Sequence, residues 1–547
     1  MGARAKWWDD VISTDLAPYY ATSFKAKKDT GKPVKKGVPK SSPGGRKGTY
    51  IWGDRVRILE RDGDARRVSG RGKEYWLHKR HLGGAPLLEV YIVDVGQGDG
   101  LLVVTPDGHH IMVDGGNTRS FQNGGKNAAD FVDWKFAKDY CSFADRNDPT
   151  KTKIELDAMV ATHNDIDHFG GLSDLLDLDD PKNKAELDAS GVSVETVYHA
   201  GLSWWWHPTK QNKRTLSEPV AGFYTKLLNG RTSALAATEN IDAPDLDTLS
   251  GSWGDFIKAA TKTKKMNNRP TKITRISTKT HQYLPGFAPT DNSECDIRVL
   301  GPIETTTNGQ PSLKKLTGGN SKNTNGHSVI LRLDYGDRRI LLTGDLNTAS
   351  QNHIMETFGN DFVPEFMSDV AKGCHHGSHD VSYKFLEGLR PVATVISSGD
   401  AESHDHPRPN IVAASAITGR KLIEGDRLKA PLIYMTEVAR SVTIKSIGFM
   451  NEYRDPRPEF EKDKPTGAKQ KHNTEDEMSR FRLFLGSSQT RPNSWPRLDS
   501  AKAVSGLRYG LVNVRTDGKR LFFAQKEESG GDWAVHILSD AEIRKAK

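Results

Sequence analysis

Cysteine is scarce: Cys141, Cys295 and Cys374 are the only three in 547 residues. They form no CxxC pair and no disulfide framework, so a reducing compartment is expected. Long apolar runs are missing too. No stretch approaches the roughly 20 residues needed to span a bilayer, and Met1–Tyr20 lacks the apolar centre of a secretory signal. Position 6 holds Lys6 where a myristoylation signal wants Ser or Thr. These absences lead to the expectation of a cytoplasmic protein without membrane contact. Nor does one sign of charge dominate. Lys and Arg number 78 against 70 Asp and Glu, a net of +8. An excess that small argues for a polyanionic partner only where it is clustered.

What is present falls into blocks, and the length alone suggests two to four domains. Residues 24–48 are rich in Lys, Gly, Pro and Ser, and apolar burial there cannot offset the entropy of ordering. Residues 1–48 are therefore expected to be an N-terminal segment with a flexible basic linker. From Thr49 the text alternates at period two around Asp62, Gly63 and Asp64, which reads as a small β domain over 49–86. Its GDRVRIL and YWLHKRHL segments resemble bacterial SH3-like barrels, modules that bind or tether. Residues 87–452 alternate strand and helix, as in layered α/β folds, with an insertion at about 203–290. Residues 453–478 are a charged linker. Residues 479–547 read as a small β-rich C-terminal domain whose hairpin turns at Thr516–Lys519.

The chemistry starts where the apolar strand Leu156–Thr162 runs into His163, Asn164, Asp165, Ile166, Asp167 and His168, then Gly170 and Gly171. A strand end followed by a tight loop points several side chains inward together. Two His and two Asp within six positions would repel and dehydrate one another without a cation, and they are the N and O ligands that zinc or manganese accepts.

This run resembles the HxHxDH signature of metallo-β-lactamase-fold hydrolases, in the variant HxDxDH. Further segments match the ComEC-like branch, the domain of a DNA-uptake protein and its soluble relatives: DVGQGD at 94–99, PDG at 106–108, VDGG at 113–116, LLTGD at 341–345 and HHGS at 375–378. The resemblance implies a four-layer αββα sandwich, flanked here by the SH3-like barrel and the C-terminal β domain. It implies two divalent ions, Zn2+ or Mn2+, with His163 and Asp165 on the first, Asp167 and His168 on the second, and Asp345 bridging. His376 completes the second shell, the reverse order with His375 being open. Asp167, His375 and His406 are the candidate catalytic groups, His406 as a proton donor to a leaving group. The family's third histidine has no clear counterpart. His327, His199 and Asp114 are the candidates for that ligand or for a supporting role. Asp94 and Asp99 are read with equal weight as caps of turns.

Two Lewis-acidic ions imply hydrolysis. The expected activity is that of a phosphodiesterase or nuclease. Residues 258–279 hold eight Lys or Arg and no acid, so Lys262, Lys264, Lys265, Arg269, Lys272 and Arg275 are candidates for a nucleic-acid substrate. The alternatives are a hydrolase of a small ester, lactone or phosphorylcholine, and a sensor or scaffold with a vestigial metal site. The SH3-like or C-terminal domain would bind any protein partner.

Overall fold

A computed structural model describes residues 7–21, 46–122, 124–140, 152–399, 406–437, 441–444, 498–502, 510–526 and 533–547. The chain divides into two compact units, one of residues 1–399, 406–438 and 508–547, the other of residues 400–405 and 439–507. In the second unit the described part is an antiparallel pair, Ser441–Ile444 with Leu498–Lys502. Residues 453–478, expected as a charged linker, lie outside the described residues.

The first unit is a mixed α/β structure with several sheets. Its nine-stranded sheet runs Lys272–Arg275, Gly191–His199, Lys153–Ala161, His110–Gly115, Gly100–Val104, Leu88–Ile92, Val512–Thr516, Leu521–Lys526 and Trp533–Leu538. A six-stranded sheet runs Asp296–Gly301, Ile330–Tyr335, Arg338–Leu342, Val370–Lys372, Ala393–Ile396 and Leu432–Met435. Strand alternation sorts the apolar side chains. Leu101 and Val103 join one core with Ile297, Val299, Leu331 and Ile340 of the six-stranded sheet. Leu102 and Val104 join another with Phe169, Leu172, Trp253 and Phe256 of helices Ile166–Leu176 and Gly251–Lys262. A third core sets Ile330, Leu341 and Ala371 against Ile354, Phe366, Phe385 and Ile411 of the later helices.

Two boundaries differ from the sequence reading. The C-terminal hairpin and strand form where expected but make no separate domain: Val512–Thr516 pairs antiparallel with Leu88–Ile92, Val514 facing Val90. Val512, Val514, Leu521 and Phe523 thereby enter the core between the two large sheets. At the other end, the small six-stranded β unit starts at Asp10 rather than Thr49, since Asp10–Val11 and Leu16–Tyr20 pair with Arg55–Asp62 and Arg46–Ile51. Strands of two and five residues are too short for their period to be read. Trp7 and Trp8, ahead of them, are buried in the core beside Tyr140 and Tyr91.

A buried ionic network ties the small unit to the large sheet. Arg515 pairs with Asp54 at 2.8 Å and Glu89 at 3.2 Å, and Arg55 pairs with Glu89 at 2.9 Å. All four side chains are under a tenth exposed, so each charge depends on its partners for solvation.

Candidate metal centre

Strand Lys153–Ala161 ends beside His110–Gly115 on one side and Gly191–His199 on the other, and helix Ile166–Leu176 starts five residues later. Asp165 stands at the helix N-cap but makes no capping hydrogen bond. Its Oδ2 instead accepts from the Thr324 hydroxyl at 3.1 Å and lies 3.9 Å from His163 Nε2. Asp167 and His168 occupy the first helical turn, so the loop's three outer positions and the helix start face one space.

Glycines let the other motifs reach that helix. A Cβ on Gly171 would sit 2.0 Å from the Gly115 oxygen, and one on Gly98 would sit 2.2 Å from the Asp167 oxygen. No side chain fits at either approach. The VDGG and DVGQGD segments thus dock directly on the metal loop. Asp114, at a φ of 55°, holds a left-handed backbone that a non-glycine residue rarely adopts. The conformation lets its carboxylate accept from the Thr162 amide at 2.8 Å, the Thr162 hydroxyl at 2.6 Å and His168 Nδ1 at 2.8 Å. His375 and His376 are also left-handed, at 47° and 53°.

Four overlapping sets of ligand atoms lie within 4.8 Å of one another: His163, His168 and Asp345; Asp167, His168 and His376; Asp99, Asp345 and His376; Asp99, Asp114 and His168. His168 Nε2 and His376 Nε2 are 3.2 Å apart and point at Asp345 Oδ2 from 3.2 and 3.0 Å. Each of the two rings is oriented from behind: His168 Nδ1 by Asp114, His376 Nδ1 by the Ser397 carbonyl at 3.1 Å and Asp99 at 3.4 Å. Ligating histidines are commonly held this way. His163 Nε2 and Asp345 Oδ1 are buried without a hydrogen-bond partner, a costly state for polar atoms in a protein interior.

The electrostatics describe a site short of positive charge. Burial works against protonation of His376, yet Asp345 and Asp99 lift its pKa to about 9. The same opposition acts on His168, where Asp345, Asp114 and Asp167 win and raise it well above the ordinary imidazole range. Burial pushes the Asp165 carboxyl up to about 7, with Asp167 adding to the effect. Burial, then the charge of His168, holds His163 well below its usual value. Two rings are thus held toward the charged form and His163 toward the neutral one, its Nε2 without a hydrogen-bond partner. Residues of this kind, with unsatisfied nitrogen and carboxylate oxygen converging, fit a divalent ion bound through N and O donors.

Two members of this arrangement carry no assigned role in the sequence reading: Asp99, which reads with equal weight as a turn cap, and Lys372, two residues before Cys374. The Lys372 ammonium pairs with Asp99, lies 3.5 Å from Asp345 Oδ1 and donates to the Gly344 carbonyl at 3.0 Å. Asp99 was visible in DVGQGD as the carboxylate at the end of a glycine-rich turn, and Lys372 as the cation preceding the histidine pair.

Other candidates fall near the cluster or away from it. His375 lies 3.9 Å from Asp345 and 3.2 Å from the Asn325 amide, and its ring is 6.0 Å from that of His406. His406 Nδ1 is 3.3 Å from Gln97 Nε2. His327 contacts the Lys314 carbonyl at 2.8 Å, and His199 accepts from the Gly201 amide at 3.1 Å. Among the described residues, neither belongs to a set of converging ligands. Most of the basic run lies away from the cluster. Lys264 bridges to Ser193, which pairs with Glu155, eight residues before His163. At about 3.3 Å per residue that places Lys264 roughly 25 Å from the loop, at the opposite end of the sheet. Lys262 and Arg269 are exposed beside it, as is Lys272. Lys265 faces Glu195. Arg275 does stand at the near end of its strand, but its guanidinium is engaged by Glu304 and Asn229. A run read along the sequence has no direction in space, and the strand register supplies it.

The chain is 30% identical over 89 residues to ComE operon protein 3 of Bacillus subtilis, covering 16% of this chain and 11% of that protein. It is 33% identical over 103 residues to the competence protein ComA of Neisseria gonorrhoeae, covering 19% of this chain and 14% of that protein. The matches therefore span a small part of each relative. Among solved structures, a mutant of CmlA beta-hydroxylase aligns with 62% of this chain and 51% of its own at 11% identity and a TM-score of 0.26. No family model matches the chain. Among the described residues, no helix is long and apolar enough to cross a membrane.

Proposed function

We propose that the chain is a metal-dependent hydrolase of phosphodiesters, built on a four-layer αββα sandwich of the metallo-β-lactamase type. The three apolar cores, two between sheet and helices and one between sheets, support that layering. The observation that carries the activity is the convergence of buried His163, His168, His376 and Asp345 with half-buried Asp167, His163 Nε2 and Asp345 Oδ1 being unpartnered. In this reading His163 and Asp165 hold one ion, Asp167, His168 and His376 the other, and Asp345 lies between them. When bound, Zn2+ or Mn2+ supplies Lewis acidity and makes water acidic enough to act as a nucleophile near neutral pH.

The remaining residues position and move protons. Asp114 and Asp99 fix the tautomers of His168 and His376, leaving Nε2 of each free for the site. His375, kept mostly neutral by burial, and His406 beside it line the side where a leaving oxygen takes its proton. The local similarity to two competence proteins supports a nucleic-acid substrate, and the HxDxDH, DVGQGD and HHGS motifs support it as marks of the ComEC-like branch. Purified protein with Mn2+ or Zn2+ should cleave bis-p-nitrophenyl phosphate and at least one of single-stranded DNA, duplex DNA or RNA. Failure on all of them removes the reading, and cleavage that survives Asp167→Ala with His168→Ala moves the site elsewhere.

A further inference from the structure

Beyond strand Gly191–His199 the chain turns back over the metal loop. The indole N–H of Trp204 donates to the Asn164 carbonyl at 2.9 Å, and Asn164 lies between His163 and Asp165. Trp204 is itself buried, so its ring is a fixed wall of the loop. Over that ring, 4.4 Å from its centroid, lies the guanidinium of Arg214. Arg214 is exposed, and among the described residues no carboxylate pairs with it. It reaches this place because Trp205–Trp206 and Arg214–Thr215 form a two-stranded ribbon, Trp206 opposite Arg214. The turn of the ribbon adds Lys210 and Lys213. Lys210 is paired with Glu218 at 3.1 Å, while Lys213 is exposed and, among the described residues, no carboxylate pairs with it. Residues 200–230 hold four Lys or Arg and the single acid Glu218.

We infer that Arg214 and Lys213 grip the phosphates that flank the scissile bond, so that the site takes an extended phosphodiester chain, a nucleic-acid strand, in preference to a small ester. The inference rests on the hydrolytic reading of the neighbouring cluster. A guanidinium held over an aromatic face keeps N–H groups open for an incoming phosphate and loses little freedom on binding. Within the neighbouring cluster the Lys372 ammonium is occupied by Asp99. In the run at 258–279, Lys262, Lys264 and Arg269 lie towards the far end of the sheet, and Arg275 at the near end is engaged by Glu304 and Asn229.

The test uses the full chain. Binding of a short fluorescein-labelled oligonucleotide to metal-stripped protein is followed by anisotropy across a salt series. Hydrolysis of the same oligonucleotide and of bis-p-nitrophenyl phosphate is followed after loading with Mn2+. Arg214→Ala should weaken oligonucleotide binding about tenfold and lower the salt slope by about one. KM for the oligonucleotide should rise with little change in kcat, and bis-p-nitrophenyl phosphate turnover should stay as it is. Arg214→Lys should restore part of the binding. Lys262→Glu with Lys264→Glu should leave the slope unchanged. An unaltered slope in Arg214→Ala, or wild-type protein that cleaves bis-p-nitrophenyl phosphate but does not bind the oligonucleotide, overturns the inference and leaves the hydrolase reading standing. Tight binding lost in Arg214→Ala, in a protein that hydrolyses neither substrate, does the reverse.

Discussion

Lys372 sits between two carboxylates that need it for different reasons. It neutralises Asp99 directly, and its ammonium is 3.5 Å from Asp345 Oδ1, an oxygen with no hydrogen bond of its own. At an effective dielectric constant of about 20, a pair at that distance interacts with a gross energy of about 5 kcal/mol. Asp99 therefore acts as a counter-charge that restrains Lys372 from closing on Asp345, the carboxylate proposed to meet the ions. Asp99→Asn should release the ammonium toward Asp345 and weaken metal binding. If only a quarter of the gross energy is realised, the loss is still about tenfold in Kd. Lys372→Met should do the opposite to the metal while lowering stability of the stripped protein by about 3–5 kcal/mol, since Asp99 is left buried and uncompensated. The double variant, with both charges gone, should bind metal better than Asp99→Asn and resist unfolding better than Lys372→Met. Isothermal titration of stripped protein with Zn2+, alongside thermal unfolding by circular dichroism, reads both quantities. Should Asp99→Asn bind Zn2+ as the wild type does, or should the double variant show the simple sum of the single losses, the restraint does not exist.

Three other outcomes follow from the same geometry. Stripped protein should lose stability as pH rises from about 6.5 to about 9, because the raised folded pKa of His376 favours the native state below the unfolded value and ceases to do so above the folded one; metal affinity should rise over the same window, and a melting temperature that climbs with pH would contradict this. Asp114→Asn takes away the negative charge behind His168 Nδ1 and turns one of the two accepting oxygens into a donor, and should weaken metal binding by about 10–100-fold, measured by competition with a chromophoric chelator. Arg515→Met leaves Asp54 and Glu89 short of a buried cation and should cost about 3–5 kcal/mol, seen as a lower melting temperature with unchanged KM.

The convergence of His163, Asp167 and His168 was legible because its information is local. An apolar strand, a tight His/Asp run and two glycines lie within sixteen residues, and each residue type has few other uses in that order. The hairpin that delivers Asp345 was legible for the same reason: Ile330–Tyr335 and Arg338–Leu342 pair across a short turn. What stayed hidden depends on partners remote in sequence. Nothing near Val512 shows that its neighbour is Ile92, so the last strands read as a domain of their own. Nothing in residues 258–279 shows which end of the sheet they occupy. Asp99 was in plain view but could not be told from a turn cap until Lys372 and His376 were placed beside it. Trp204–Trp206 resemble insertion core in sequence, and Trp204 is indeed buried, but as the support of an exposed arginine next to the loop.

The pairing of Leu88–Ile92 with Val512–Thr516 also sets a timetable. On the ribosome, about 420 residues must be added after Ile92 before its partner exists, which at about 5–20 residues per second takes roughly 20–80 s. For that interval the strand has a neighbour on one side only, and its other row of amide and carbonyl groups is an open template for a foreign strand. The metal loop, its supporting aspartates and the HHGS turn are all translated before that edge can close. The converging His and Asp side chains are thus all on the chain while the sheet that carries them is still incomplete, and on the proposed reading an ion bound early would order the half-built domain during the wait.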